Sequence, residues 1–144
     1  MERTNATLRI TDFTPTEAAD DKIVRINKDV VIFDKIVSKD NFEVRLYGNI
    51  TFDDFANRII EALQWMADCR TELIEVYNRE LGEVSGKLAN DDWYETLELL
   101  NVTLLVSRNE NIYTHVSCGD NIWLDHILDV EIENISIKGM GYDG

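Results

Sequence analysis

At 144 residues, 44% of them hydrophobic, the chain is long enough to bury most of its apolar surface as one domain, 1–144, without help from a disulfide or a metal. Twenty-eight acidic residues against 14 basic leave a formal charge of −14, which disfavours binding to nucleic-acid phosphate, an interaction that draws its affinity from lysine and arginine. No apolar run approaches the roughly 20 residues of a membrane span, and Met1-Glu2-Arg3-Thr4-Asn5 is too polar for a signal peptide, so the expectation is a cytoplasmic protein without membrane contact.

In chain order, residues 7–11 read as a short strand and residues 14–21 as a polar loop. From Lys22 the texture turns β-branched and aromatic, cut by turn clusters, which predicts strands over 23–26, 30–37 and 42–47. Phe42, Val44 and Leu46 alternate with Glu43, Arg45 and Tyr47, the pattern of a strand with one wet face. The run 30–37 is apolar on both faces and is expected to be central.

Residues 51–81 carry the clearest periodicity of the chain. Phe52, Phe55, Ile59, Leu63, Met66, Leu73, Tyr77 and Leu81 fall three or four apart for the most part, one stripe of an amphipathic helix that needs a covering layer. Thr51 with Asp54 resembles a capping box at its start. The stripe is interrupted at Asp68-Cys69-Arg70-Thr71, so a kink or break is expected there, with Thr71 a second N-cap, and Gly82 is the expected stop. Asp92 with Glu95 predicts a short second helix to about Leu100, burying Trp93, Leu97 and Leu100. Strands return over 102–106, 112–118, 122–124, 127–132 and 135–137, and Gly139, Gly141 and Gly144 are expected to end the chain loosely. Strands, then helices, then strands again argue for an α+β fold: an antiparallel sheet built from N-terminal and C-terminal strands, with the long, kinked helix and the short one packed on one face.

Catalytic signatures are missing from the pattern. There is no G-x-S-x-G elbow and no phosphate loop, and Cys69 and Cys118 lack the spacing of a metal or redox pair, so both read as small core residues and no cofactor is expected. Trp123-Leu124-Asp125-His126 sets an imidazole beside a carboxylate at a bend, a pairing that serves as a base or metal ligand in some sites. The plainer reading makes His126 a hydrogen-bonding element of the bend; the sharper one is a metal-dependent hydrolase using His126, Asp125 and His115. Trp65 lies off the main stripe and is the candidate exposed anchor, with Glu61, Asp68, Glu72 and Glu75 on one flank of the helix as candidate partner-binding carboxylates.

Asn90-Asp91-Asp92-Trp93-Tyr94-Glu95, followed by Trp123-Leu124-Asp125-His126, a hydrophobic strand and Gly139, resembles a family of uncharacterised bacterial α+β domains of unknown function, over roughly 50–139. Members carry a helix, an N-D-x-W segment and a β-meander with an aromatic-x-Gly-His motif; here Asp125 stands at the glycine. Such domains are often associated with toxin–immunity modules. The resemblance and the charge together imply a protein-binding domain without catalytic activity, an immunity-like inhibitor of a basic bacterial toxin domain, monomeric or homodimeric. The alternative is a structural domain that self-associates through a sheet edge or the Trp65 face.

Overall fold

The computed structural model describes residues 5–15 and 22–143. Thirteen elements follow one another: β1 (Phe13–Pro15), β2 (Lys22–Ile26), β3 (Val30–Ile32), β4 (Lys35–Val37), β5 (Phe42–Leu46), α1 (Phe52–Met66), α2 (Arg70–Glu80), α3 (Gly82–Ser85), α4 (Asp91–Thr96), β6 (Glu98–Val106), β7 (Ile112–Gly119), β8 (Ile127–Glu133) and β9 (Ser136–Asp143). Seven strands make one sheet in the order β1-β2-β5-β6-β7-β8-β9, and β3 pairs only with β4. The fold is α+β, as its element order predicts. Every pairing in the large sheet is antiparallel except β5 with β6, where Phe42 stands beside Val102 and Leu46 beside Val106. That one parallel pair joins the two halves of the chain, because the connection between β5 and β6 runs through all four helices and returns in the same direction.

One face of the sheet is buried. Phe42, Val44 and Leu46 of β5, Val102, Leu104 and Val106 of β6, Ile112, Val116 and Cys118 of β7 and Leu128, Val130 and Ile132 of β8 share a single hydrophobic cluster with the α1 and α2 stripe. All eight stripe residues from Phe52 to Leu81 are buried. Burial also pushes both cysteine thiols up in pKa, which suits core fillers rather than nucleophiles.

The helix over 51–81 is two helices. α1 stops because its C-terminal carbonyls are met by another element: Phe33 N–H donates to Met66 O at 2.8 Å and Asp34 N–H to Ala67 O at 2.6 Å. Phe33 and Asp34 have φ of 52° and 61°, and they turn residues 30–37 into the β3–β4 hairpin instead of one central strand. This hairpin packs on α1 and β6, which is why Val30 to Phe33 and Val37 are buried, while Ile36 faces solvent. Asn5, itself buried, clamps the same corner, donating to Val31 O and Leu63 O, both at 2.7 Å, and accepting from Val31 N at 2.8 Å.

Several local expectations are corrected. Residues 7–11 are not a strand; Asp12 accepts the Arg9 amide at 2.8 Å and closes a 3-10 turn over Ile10–Asp12, which delays the first strand to Phe13. Of the expected loop 14–21, Thr14 and Pro15 belong to β1, and 16–21 lie outside the described residues. The Thr51 hydroxyl donates to the Asp54 carboxylate at 2.8 Å instead of capping an amide. Cys69, not Thr71, stands at the start of α2, and Gly82 opens α3 rather than ending a helix; the left-handed stop is Gly86, φ 75°. Asn90, not Asp92, caps α4 by accepting the Trp93 amide at 3.0 Å. Residues 122–124 form no strand, while the glycine-containing end is drawn into β9 by pairing with β8 over its whole length.

Candidate functional site

The carboxylates proposed from the helix flank divide between two places. Trp65 is half-buried, and with Glu72, Glu75, Val76, Arg79 and the 135–137 segment it lines a depression of about 270 Å³ between α2 and the start of β9. Glu61 lines the neighbouring depression with Arg58, Asn134 and Ile135. Ile135 is common to both and is 51% exposed, so Trp65, Glu61, Glu72 and Glu75 surround one apolar side chain at the β8–β9 turn. Asp68 is not with them. The break between α1 and α2 turns it toward α4, where it accepts from the Tyr94 hydroxyl at 3.2 Å and the Arg70 amide at 3.3 Å. Arg70 also pairs with Glu95 at 2.7 Å, fixing the same corner.

A second cluster lies at the far end of β9. Asp120 is buried, and its carboxylate accepts from four donors: the Ile122 and Trp123 amides at 3.2 and 3.0 Å, the Trp93 indole at 3.0 Å, and the Tyr142 hydroxyl. A carboxylate offers about four lone-pair sites, so this one is filled and has no position left to take a substrate proton. The Tyr77 and Tyr142 hydroxyls are 2.6 Å apart, which extends the chain to α2. Burial, then the bonds to Asp120 and Tyr77, raise the Tyr142 phenol well above its ordinary value. The cluster is a brace that holds the 120–126 bend, α2, α4 and β9 together.

That bend carries the Trp-Leu-Asp-His residues. Trp123 stacks on His126 with ring centroids 4.6 Å apart and planes 15° from parallel, and Tyr142 meets Trp123 edge-on at 4.8 Å. The hydrogen-bonding role expected of the His126 side chain is not what holds it: its Nδ1 is buried without a partner, and stacking fixes the ring. Asp125 is exposed, and no hydrogen bond joins it to His126 among the described residues. Leu124 is 81% exposed and Ile127 43%, so the braced bend presents aliphatic side chains to solvent.

His115 belongs to neither cluster. It lies on the open face of the sheet, in β7, with Asp129 at 3.0 Å and Glu131 at 3.6 Å from Nε2. Among the described residues no group of three or more histidine, cysteine, aspartate or glutamate side chains is arranged to hold a metal, so His115, Asp125 and His126 do not form one.

Charge is unevenly divided along the chain. Residues 1–49 hold eight basic and nine acidic residues, whereas residues 50–144 hold six basic and 19 acidic, so all but one unit of the net −14 belongs to the second part. That part forms the helices and β6 to β9, while β1, β2 and β5 come from the first. The carboxylates of the second part are spread over the helices, β6, β8 and the turns, while β9 itself carries one acidic and one basic residue, Asp143 and Lys138.

Sequence pattern alone did not find Asp120 as a hub, nor its link to Tyr142. The available signal was Gly119-Asp120-Asn121, since an aspartate after a strand-ending glycine often accepts the amides two and three residues on. Family models, curated proteins and solved structures offer no match to this chain.

Proposed function

We propose that the chain is a protein-binding domain without catalytic activity whose partner is basic, and that it acts as an immunity-like inhibitor of a cationic bacterial toxin domain. The observation that carries this reading is the charge division: residues 50–144 hold all but one unit of the net −14, and on that part Trp65 and Ile135 supply apolar contact among Glu61, Glu72 and Glu75. Aromatic anchors ringed by charge suit a surface that meets its partner by electrostatic steering and holds it by burial. The filled Asp120 carboxylate supports the same reading, because the most buried acid among the described residues is committed to structure.

The test uses the double reversal Glu72→Lys with Glu75→Lys against a basic partner protein isolated by affinity from the source cells. Association should slow for the variant and should slow for the parent chain between 50 and 500 mM salt, since exposed charges are screened over about 8 Å at physiological ionic strength. Equal association rates at both salt concentrations would reduce the charge to a solubility feature.

A further inference from the structure

The two ends of the sheet differ in whether another strand can join them. The described part of β1 is Phe13–Pro15 and includes Pro15, which has no amide hydrogen to offer. β9 is eight residues long and is the last strand of the sheet, and among the described residues no hydrogen bond runs from its backbone to anything but β8. Gly139 and Gly141 leave its backbone bare: a Cβ added at Gly141 would meet nothing within 4 Å, and one at Gly139 only Glu80 Oε1, at 3.9 Å. Glycine inside a strand commonly marks a place where another backbone comes close. Natural edges are often guarded by a bulge and an inward lysine. Here the register shift falls at Lys138, whose ammonium lies 3.1 Å from Glu133.

What lies at each end of this edge defines an occupant. At the start of β9 is the depression lined by Trp65, Glu72, Glu75 and Ile135. At its end are Ile127, paired with Asp143, and Trp123, packed on Tyr142. Between them the edge spans about 26 Å at the usual strand rise of some 3.3 Å per residue. α2 runs beside it and sets Glu72, Glu75 and Glu80 along the track, with Arg79 among them and Lys138 of β9 paired to Glu133.

We infer that the outer edge of β9 is the docking track for an extended, lysine- or arginine-rich segment of the partner protein, which adds to the sheet as a further strand, with its cations against the α2 carboxylates and its apolar side chains at Ile135 and Trp123. This deepens the reading of the chain as a binder of a basic protein and rests on it. Main-chain hydrogen bonds then supply affinity, and alternate side chains supply specificity. A second copy of the chain is the poorer occupant, since pairing two β9 edges would set the two acidic α2 flanks side by side, and like charges across such a junction repel.

The experiment uses the whole chain and three synthetic ten-residue peptides: one alternating lysine with valine, the same peptide with every second backbone amide N-methylated so that one edge cannot pair, and decalysine. Binding is followed by Trp fluorescence and by amide hydrogen exchange at low salt. The inference expects the alternating peptide to bind, to slow exchange in 136–143, and to weaken about tenfold or more on N-methylation. Equal binding of the N-methylated peptide or of decalysine would overturn strand addition and leave the charge reading standing. No binding of any of the three would overturn the inference; the charge reading would then stand or fall on the salt dependence of the isolated partner. A mass that doubles with concentration, with exchange slowed in 136–143 in the absence of peptide, would overturn it in favour of a second copy.

Discussion

At one edge of the sheet the described chain sets Phe13–Pro15, with a proline in it; at the other it sets eight residues, two of them glycines, beside the carboxylates of α2. An open sheet edge leaves backbone groups unpaired, which is a hazard for any sheet protein. Pro15 takes one amide donor away from β1. β9 is instead held straight from behind, by Tyr77 and Tyr142 against α2 and by Asp120 tying Tyr142 to Trp93 and the 120–126 bend. The two edges therefore differ in what an added strand would meet, and that difference is what the proposed docking track rests on.

The comparison can be broken most severely from the centre. Leu63 is fully buried between the hairpin and the sheet, and Leu63→Ala should cost about 2–5 kcal/mol in denaturant unfolding, with both edges lost in one transition. Asp120→Ala comes next. It leaves the Trp93 indole and the Tyr142 hydroxyl without an acceptor, so about 2–4 kcal/mol should be lost. Hydrogen exchange should then accelerate in 136–143 and stay unchanged in 13–15; equal acceleration at both edges would mean that the brace does not belong to β9.

Smaller effects sharpen the contrast. Gly141→Val adds a side chain into open space at a φ that valine adopts freely, so stability should rise by about 0.5–1 kcal/mol if β9 is an ordinary strand there. Glu72→Ala, on the exposed flank of α2, should stay within about 0.5 kcal/mol, and with Leu63→Ala it separates binding surface from core. Least of all, Asp12 ties down the β1 side. The Arg9 amide, and then Lys28, hold its carboxyl below the ordinary value, so its contribution is present above about pH 4 and disappears as pH falls through the lowered value. This pair is partly exposed, so acid should loosen 10–15 by only a few tenths of a kcal/mol, with β9 unaffected.

How much of this was legible in the residues follows from where local pattern and tertiary contact agree. The stripe from Phe52 to Leu81 and the alternation in β5 were readable because both periods report burial directly. The hairpin at Phe33-Asp34 was not, since it lacks the Asn-Gly or Asp-Gly signature and forms where two turn amides meet the end of α1. Ile122-Trp123-Leu124 looks like a strand by composition, but Asp120 takes two of the amides that a ladder would need. β9 was hidden for the opposite reason: its glycines argue for a loose end, and only pairing with β8 makes a strand of them. For the candidate surface, helical spacing placed Trp65, Glu61, Glu72 and Glu75 near one another, and the break at 67–69 removed Asp68, a rotation that no single-helix projection contains.

The claim that the acidic, open edge of β9 is the binding edge is tested most directly by titrating isotope-labelled protein with the alternating lysine–valine peptide and mapping amide shifts by NMR. The account predicts shifts concentrated in 135–143, in α2 around Glu72 and Glu75, and at Trp123, fading as salt rises to 500 mM, with 13–15 silent. Shifts centred on 13–15, or spread evenly over the surface at every salt concentration, would contradict it.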